Sequence, residues 1–207
     1  MNYEALLFDL DGTLWDATAN IQKSWNIAIQ EFGELKGHTI SKEALTSVMG
    51  LPMNEISAKL FPGLSPALQS EVLERCCLVE NEYLTEHGGI LFPMVKDTLQ
   101  KLSKKHKLFI VSNGQKGYIQ TFLTSHKMNP YFTDVQNWGD NPVPKGENIK
   151  LVMERNNIHN AVYIGDTVGD AKAAETAGID FIYARYGFGQ VEHYKYAIDE
   201  FQQLLEL

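Results

Sequence analysis

Short apolar runs alternate with helical segments along most of this chain, and this alternation constrains the fold more than any other feature. Each run has the length and composition of a buried strand, and the segment after it has apolar residues at helical spacing. Strands that alternate with helices pair in parallel through right-handed crossovers. The sequence therefore predicts an α/β protein with a Rossmann-like core of three layers around a parallel sheet. The predicted strands are Ala5–Leu10, Lys107–Val111, Asp134–Asn137, Ala161–Ile164 and Phe181–Ala184.

One long segment, from Asp16 to Gly89, interrupts the alternation. It contains apolar residues at helical spacing and no convincing strand. We therefore predict an all-helical cap domain at residues 17–89. The α/β core is then discontinuous, and it consists of residues 1–16 together with residues 90–207.

Two local predictions concern the C-terminal part of the chain. Apolar spacing predicts a final helix at Ala197–Leu205. The stretch Tyr186-Gly187-Phe188-Gly189 is rich in glycine but has neither a P-loop nor a GxGxxG pattern, so we interpret it as a structural turn.

Composition excludes several classes of function. The 207 residues carry a net charge of -8, and an acidic chain is not typical of a general nucleic-acid binder. No apolar run approaches the length of a membrane span, and residues 1–4 do not resemble the start of a secretory signal. The two cysteines, Cys76 and Cys77, are adjacent in a predicted helix and indicate no disulfide framework. We expect a cytoplasmic protein, a monomer by default with a homodimer as the alternative.

Two carboxylates follow the first predicted strand directly. Asp9 and Asp11 are one residue apart, where the strand gives way to Gly12. Side chains at the carboxyl end of a parallel strand face a ligand crevice. Two carboxylates this close repel each other unless a cation or a proton intervenes. The pattern therefore indicates a Mg²⁺ site with a nucleophilic carboxylate beside it.

Three more polar stretches are expected at the same edge of the sheet. Ser112-Asn113-Gly114 follows the second predicted strand, Lys145 comes after the third, and Gly165–Asp170 follows the fourth. Because all parallel strands end at one edge, these side chains are predicted to converge with Asp9 and Asp11.

The order of these motifs resembles the haloacid dehalogenase-like hydrolase superfamily. The motifs are Asp9-Leu10-Asp11-Gly12-Thr13, Ser112-Asn113-Gly114, Lys145 and Gly165-Asp166-Thr167-Val168-Gly169-Asp170. The chain is most similar to the branch that has a helical cap after the first strand, which includes phosphoglycolate phosphatase-like and β-phosphoglucomutase-like proteins. The resemblance covers nearly the whole chain. It implies a haloacid dehalogenase-like fold and a Mg²⁺-dependent phosphatase acting on a small phosphorylated metabolite, such as phosphoglycolate, a sugar phosphate or a nucleotide.

The resemblance also implies a role for each acidic residue. Asp9 is expected to attack phosphorus and form an aspartyl-phosphate, and to bind the Mg²⁺ that also contacts the phosphoryl oxygens. Asp11 is expected to protonate the leaving alkoxide and then to activate water, while its backbone carbonyl binds the metal. Asp166 is the expected further metal ligand. Asp170 either ligates the metal as well or positions Asp166.

Three further residues are expected to bind the phosphoryl group. By resemblance, Ser112 and Lys145 hold its oxygens, and a backbone donor at Asn113 adds to them. Gly146 follows Lys145 where this branch often has proline. Lys150 is the competing lysine, although it lies inside a predicted helix.

The substrate stays open at this point. The mutase branch is expected to have a cap histidine that residues 15–23 lack, which disfavours a phosphomutase. Phosphoglycolate phosphatases usually have Thr-Asn-Lys where this chain has Ser112-Asn113-Gly114, and their cap arginine is not evident here. Phosphoglycolate is therefore one candidate. The alternative from another class is a catalytically weak relative that binds a phosphorylated ligand as a regulatory module.

Overall fold

A six-stranded parallel sheet forms the centre of the fold in the computed structural model, which describes residues 2–207 apart from the side chain of Asn54. The strands in chain order are β1 (Ala5–Phe8), β2 (Trp15–Asp16), β3 (Ile90–Leu91), β4 (Lys107–Ser112), β5 (Asp134–Asn137), β6 (Ala161–Gly165), β7 (Asp180–Ala184) and β8 (Tyr196–Ile198). The spatial order in the main sheet is β5-β4-β1-β6-β7-β8, and all neighbours pair in parallel. The predicted α/β fold class with a parallel sheet is therefore confirmed.

Helices cover both faces of this sheet. The α-helices in chain order are α1 (Thr18–Ala28), α2 (Lys42–Thr46), α3 (Met53–Leu60), α4 (Pro66–His87), α5 (Val95–Leu102), α6 (Tyr118–Ser125), α7 (Lys145–Arg155) and α8 (Val168–Ala177), and α5 to α8 are the ones that cover the sheet. Alternate residues of a strand point to opposite faces, and β1 shows how the core is divided. Leu6 and Phe8 pack in one apolar cluster with α5 and α6, whereas Ala5 and Leu7 pack in a second cluster with α7 and α8. The result is three layers.

The four helices α1 to α4 form a unit between β2 and β3, and the 22-residue helix α4 packs along α1. Where the chain enters and leaves this unit, β2 and β3 pair in antiparallel fashion, with Trp15 opposite Leu91. This short pair was not predicted from the sequence, because two residues give too little pattern. The division of the chain at residues 16/17 and 89/90 stays a prediction.

The prediction of a helix at Ala197–Leu205 is wrong. Tyr196–Ile198 forms the edge strand β8, which pairs in parallel with Ile182–Ala184 of β7, and a 3₁₀ helix follows at Phe201–Leu205. The chain bends at Asp199 and Glu200, and the backbone N–H of Asp199 donates to the side chain of Gln203. Pairing with an open sheet edge therefore overrides the local helical pattern, as long-range contacts often do for short segments.

Candidate active site

Register in the sheet brings the predicted site residues together. Phe8 of β1 lies opposite Ile110 of β4 and Ile164 of β6. Asp9 therefore leaves the sheet between the ends of its two neighbouring strands, where Ser112 and Asp166 are found. Asp9, Asp11, Ser112 and Asp166 come from a strand end or from the residues just after it, whereas Lys145 and Asp170 lie in the first turns of α7 and α8.

Lys145 joins two carboxylates at the centre of the site. Its Nζ donates to Asp9 Oδ1 at 2.8 Å and to Asp170 Oδ1 at 2.7 Å. All three side chains are buried: the exposed fraction is 6% for Lys145, 4% for Asp9 and 0% for Asp170. Burial alone would lower the pKa of Lys145, but the charges of Asp170 and Asp9 outweigh it and hold the pKa well above its usual value. The competitor Lys150 is exposed and pairs with Glu147 on the protein surface.

Asp9, Asp166 and Asp170 form a buried acidic cluster. Each offers one carboxylate oxygen, and these oxygens all lie within 4.8 Å of one another. Burial, together with the charge of Asp170, raises the pKa of Asp9 and of Asp166 above the usual range for aspartate. The single positive charge of Lys145 is therefore the only one that the described site sets against these three carboxylates. The cluster has the donor set and the uncompensated charge that suit a hard divalent cation.

Hydrogen bonds occupy both oxygens of Asp170. Oδ1 accepts from Lys145, while Oδ2 accepts from the backbone N–H groups of Asp166 and Thr167 and from the Thr167 hydroxyl. The Thr167 hydroxyl in turn caps the N-terminus of α8. These contacts fix the position of Lys145 and the turn that carries Asp166. Of the two predicted roles, they favour positioning over direct ligation.

Asp11 lies outside the acidic cluster and has its own partners. Its Oδ1 accepts hydrogen bonds from Trp15 Nε1 at 3.0 Å and from the Tyr118 hydroxyl at 2.7 Å. Burial raises the pKa of Asp11 to about 8, against the lowering effect of the Tyr118 hydrogen bond. Asp11 is therefore largely protonated at neutral pH. The predicted metal contact of its backbone carbonyl stays a prediction.

The predicted phosphate-binding residues Ser112 and Asn113 differ in their surroundings. Ser112 is buried and lines the same cavity as Asp9 and Lys145, and its Oγ accepts from Gly114 N at 3.2 Å. Asn113 also lines the cavity, but its side chain donates to the backbone carbonyl of Gly50 in the helical unit at 2.9 Å. The Asn113 side chain therefore connects the α/β core to the helical unit, which is the predicted cap. Its proposed backbone contact with phosphate stays a prediction.

The glycine-rich turn at 186–189 packs against the site, which its sequence did not reveal. Phe188 N donates to Asp166 Oδ2 at 2.7 Å. A Cβ at Gly187 would clash with the side chain of Asp166, so only glycine fits there. Glycine is also required at position 12, because the φ of Gly12 is +81° and an added Cβ would clash with the Asp166 carboxylate. Asp166 is thus held between two close backbone segments.

A cavity of about 50 Å³ separates this edge of the sheet from the helical unit. Asp9, Asp11, Ser112 and Lys145 line its floor, and mostly apolar side chains of the cap line its roof. Glu80 of α4 is the exception in the roof. It is 3% exposed, accepts hydrogen bonds from Gln115 Nε2 at 2.9 Å and from Trp25 Nε1, and its pKa is raised to about 7 by burial.

Sequence reasoning missed Glu80, Gln115 and Tyr118. Glu80 could have been found, because it continues the series of buried α4 residues at four-residue spacing that also includes Val72, Cys76 and Leu84. A carboxylate on the apolar stripe of a helix is rare and needs a partner or a function. Gln115 and Tyr118 gave no local signal.

Comparisons with known proteins agree with this fold. The sequence model of the haloacid dehalogenase-like hydrolase family matches residues 6–184. A phosphoglycolate phosphatase of Aliivibrio fischeri is 25% identical over 203 residues, covering 90% of this chain and 86% of that protein. A phosphoglycolate phosphatase of Escherichia coli K12 is 28% identical over 211 residues, covering 89% and 82% of the two chains.

Solved structures show the same fold. A predicted phosphoglycolate phosphatase from Haemophilus somnus superposes with a TM-score of 0.86 at 19% identity, covering 100% of this chain and 98% of that one. A haloacid dehalogenase-like family hydrolase from Streptococcus pneumoniae gives a TM-score of 0.84 at 22% identity, covering 99% and 97%. Because the family match spans most of its length, the chain belongs to the haloacid dehalogenase-like hydrolases.

Proposed function

We propose that this chain is a Mg²⁺-dependent phosphatase that hydrolyses a small phosphate monoester through an aspartyl-phosphate on Asp9. The observation that carries the proposal is the buried cluster of Asp9, Lys145, Asp166 and Asp170 at the floor of a cavity that Asp11 also lines. Family membership and the phosphoglycolate phosphatases among its relatives indicate a phosphatase. We also propose that it acts on a small metabolite, because the cavity over the cluster is small, and that it does so in the cytoplasm, where free cysteines such as Cys76 and Cys77 stay reduced.

Asp9 and Asp166 would hold the metal, because their oxygens lie close together and hydrogen bonds leave them less occupied than those of Asp170. A bound Mg²⁺ would offset the charge of the carboxylates and of the phosphoryl group. Asp170 supports this site through Lys145 and through the turn at Thr167. The raised pKa values of Asp9 and Asp166 support the proposal, because they reflect buried carboxylates beside the charge of Asp170, which a bound cation would stabilise.

Asp9 and Asp11 divide the reaction between them. A carboxylate oxygen of Asp9 forms a bond to phosphorus as the bond from phosphorus to the ester oxygen breaks, and the proton of Asp11 passes to the departing oxygen. Asp11, now ionised, takes a proton from water as that water attacks phosphorus. Inorganic phosphate leaves and Asp9 is restored. A pKa of about 8 for Asp11 suits both steps of the reaction, because Asp11 starts protonated at neutral pH and can return to that state.

Lys145 and Ser112 hold the transferred group. An ammonium has three N–H donors, and Lys145 uses two of them on Asp9 and Asp170, which leaves one for a phosphoryl oxygen. Ser112 can donate its hydroxyl to a second oxygen, since its Oγ acts as an acceptor toward Gly114. Positions fixed in this way stabilise the charge of the transition state without reorganisation.

The first test measures phosphate release from p-nitrophenyl phosphate and from a panel of small phosphate esters, with Mg²⁺ and with EDTA. We expect release that requires the metal and is lost in Asp9→Asn. Asp97→Asn, an exposed aspartate of α5, is the matched control and should keep full activity. Absence of release from every ester would contradict the proposal and favour a phosphomutase, to be assayed with a sugar bisphosphate, or a phospho-ligand-binding module.

A further inference from the structure

Charge is distributed unevenly over the cavity between core and cap. Lys145 is the one cationic side chain among the described residues that line it, and both carboxylates that it contacts belong to the catalytic floor. The roof contributes apolar side chains such as Trp25, Val48 and Met53, together with Glu80. The part of a substrate that extends from the phosphate toward the roof therefore meets apolar groups and one carboxyl group.

Glu80 is held in place by neutral donors only. Gln115 donates to Oε1 and Trp25 donates to Oε2, and no ion pair to Glu80 occurs among residues 2–207 of the structure. A carboxylate oxygen accepts up to two hydrogen bonds, so each oxygen keeps acceptor capacity. A buried carboxylate with two neutral partners is incompletely compensated, and a hydrogen-bond donor or a positive charge from a ligand would complete it.

We propose that Glu80 determines the leaving group, so that the enzyme prefers phosphate esters of small alcohols that are neutral or cationic and carry a hydroxyl or ammonium donor, and discriminates against esters whose leaving group carries a carboxylate. This inference rests on the proposed phosphatase function. A leaving group that carries a carboxylate would approach the charge of Glu80, and the one cationic side chain in the described lining, Lys145, is already paired with Asp9 and Asp170. Phosphoglycolate has such a carboxylate, although relatives of this chain are named for that substrate.

The size of the cavity restricts the alcohol further. A volume of about 50 Å³ corresponds to roughly three to five water-sized positions. Because the phosphoryl group on the floor takes most of these positions, the space that remains suits only a small leaving group. Two-carbon alcohols with one polar group at the far end are therefore the esters to test.

The test compares three esters of similar size and different charge: 2-hydroxyethyl phosphate, 2-aminoethyl phosphate and 2-phosphoglycolate. The value of kcat/KM is measured with Mg²⁺ at pH 8, where the Glu80 carboxylate predominates. We expect the neutral and cationic esters to exceed phosphoglycolate by about 10- to 100-fold, the range expected for one like-charge contact in a partly shielded site. A wild-type preference for phosphoglycolate would overturn the proposal, and this comparison needs no variant.

Glu80→Gln tests the residue itself. Removing the charge should lower kcat/KM for 2-aminoethyl phosphate about tenfold or more and narrow the gap to phosphoglycolate. Glu82→Gln makes the same change at an exposed position of the same helix, and it should leave the ranking unchanged. A ranking that Glu80→Gln leaves intact would overturn the role of Glu80.

Failure of this inference is distinguishable from failure of the proposed function. Phosphate release that requires Mg²⁺ and is lost in Asp9→Asn, but is fastest with phosphoglycolate, would overturn only the selectivity. No release from any of the three esters or from p-nitrophenyl phosphate would overturn the phosphatase function, and the selectivity with it.

Discussion

Replacing Lys145 by Met should destabilise the protein in a pH-dependent way. The substitution keeps the length and most of the volume of the side chain but leaves the carboxylates of Asp9 and Asp170 without their shared cation. All three groups are buried, and removing one partner of a buried ion pair typically costs about 3–5 kcal/mol. We expect that loss in the free energy of unfolding at pH 8.

The loss should shrink in acid, because a proton can replace the lysine. The pKa of Asp9 is already raised in the folded protein, and it rises further without Lys145. A folded-state pKa above the unfolded value favours the folded state at low pH, and this advantage is lost as pH rises, by up to about 1.4 kcal/mol per pH unit. At pH 5 the destabilisation by Lys145→Met should therefore be only about 1–2 kcal/mol.

Urea unfolding in EDTA, followed by tryptophan fluorescence, measures both values. Trp15 and Trp25 are fully buried, so unfolding changes their emission. Lys150→Met, on the same helix, breaks an exposed pair and should change stability by less than about 0.5 kcal/mol at either pH. A loss below about 1 kcal/mol at pH 8, or an equal loss at pH 5 and pH 8, would refute the reasoning.

Three further changes give independent predictions. For an alkyl phosphate, kcat/KM should fall above about pH 8 as Asp11 loses its proton. The kcat/KM for p-nitrophenyl phosphate should not fall in this way, because its leaving group needs no proton, and identical pH–rate profiles for the two esters would contradict the role of Asp11. Gly187→Ala should raise the Mg²⁺ concentration for half-maximal activity about 10- to 100-fold, because the added Cβ displaces Asp166. Gly63→Ala is the control, since a Cβ there meets nothing within 4 Å, and equal effects of the two substitutions would contradict the role of Gly187 in positioning Asp166. Thr167→Ala should cost about 1 kcal/mol in thermal unfolding through the lost cap of α8, and an unchanged melting temperature would count against it.

Local signals were sufficient to predict the sheet and the floor of the site. Buried strands are visible in the sequence as apolar runs. Asp9 and Ser112 follow two such runs directly, and Asp166 follows a third after one glycine. Their proximity then follows from the parallel topology alone. The same reasoning failed at Ala197–Leu205, where apolar residues pair with a sheet edge that the local sequence does not reveal.

Contacts made by the second layer of the site could not be predicted. Tyr118 reaches Asp11 across 107 positions of sequence, and Phe188 reaches Asp166 from a turn that has no motif. Such contacts depend on how helices and loops pack over the sheet. Glu80 is intermediate, because its place on the buried stripe of α4 is visible in the sequence but its partners Gln115 and Trp25 are not.

The central claim, a covalent phosphate on Asp9, is tested most directly by trapping it in Asp11→Asn. This variant lacks the base for the second step, yet it can still react with p-nitrophenyl phosphate, whose leaving group needs no proton. The account predicts a burst of p-nitrophenolate equal to the enzyme concentration, and phosphate located by mass spectrometry on Asp9 of the acid-quenched protein. Steady turnover without a burst, or phosphate on another residue, would contradict it.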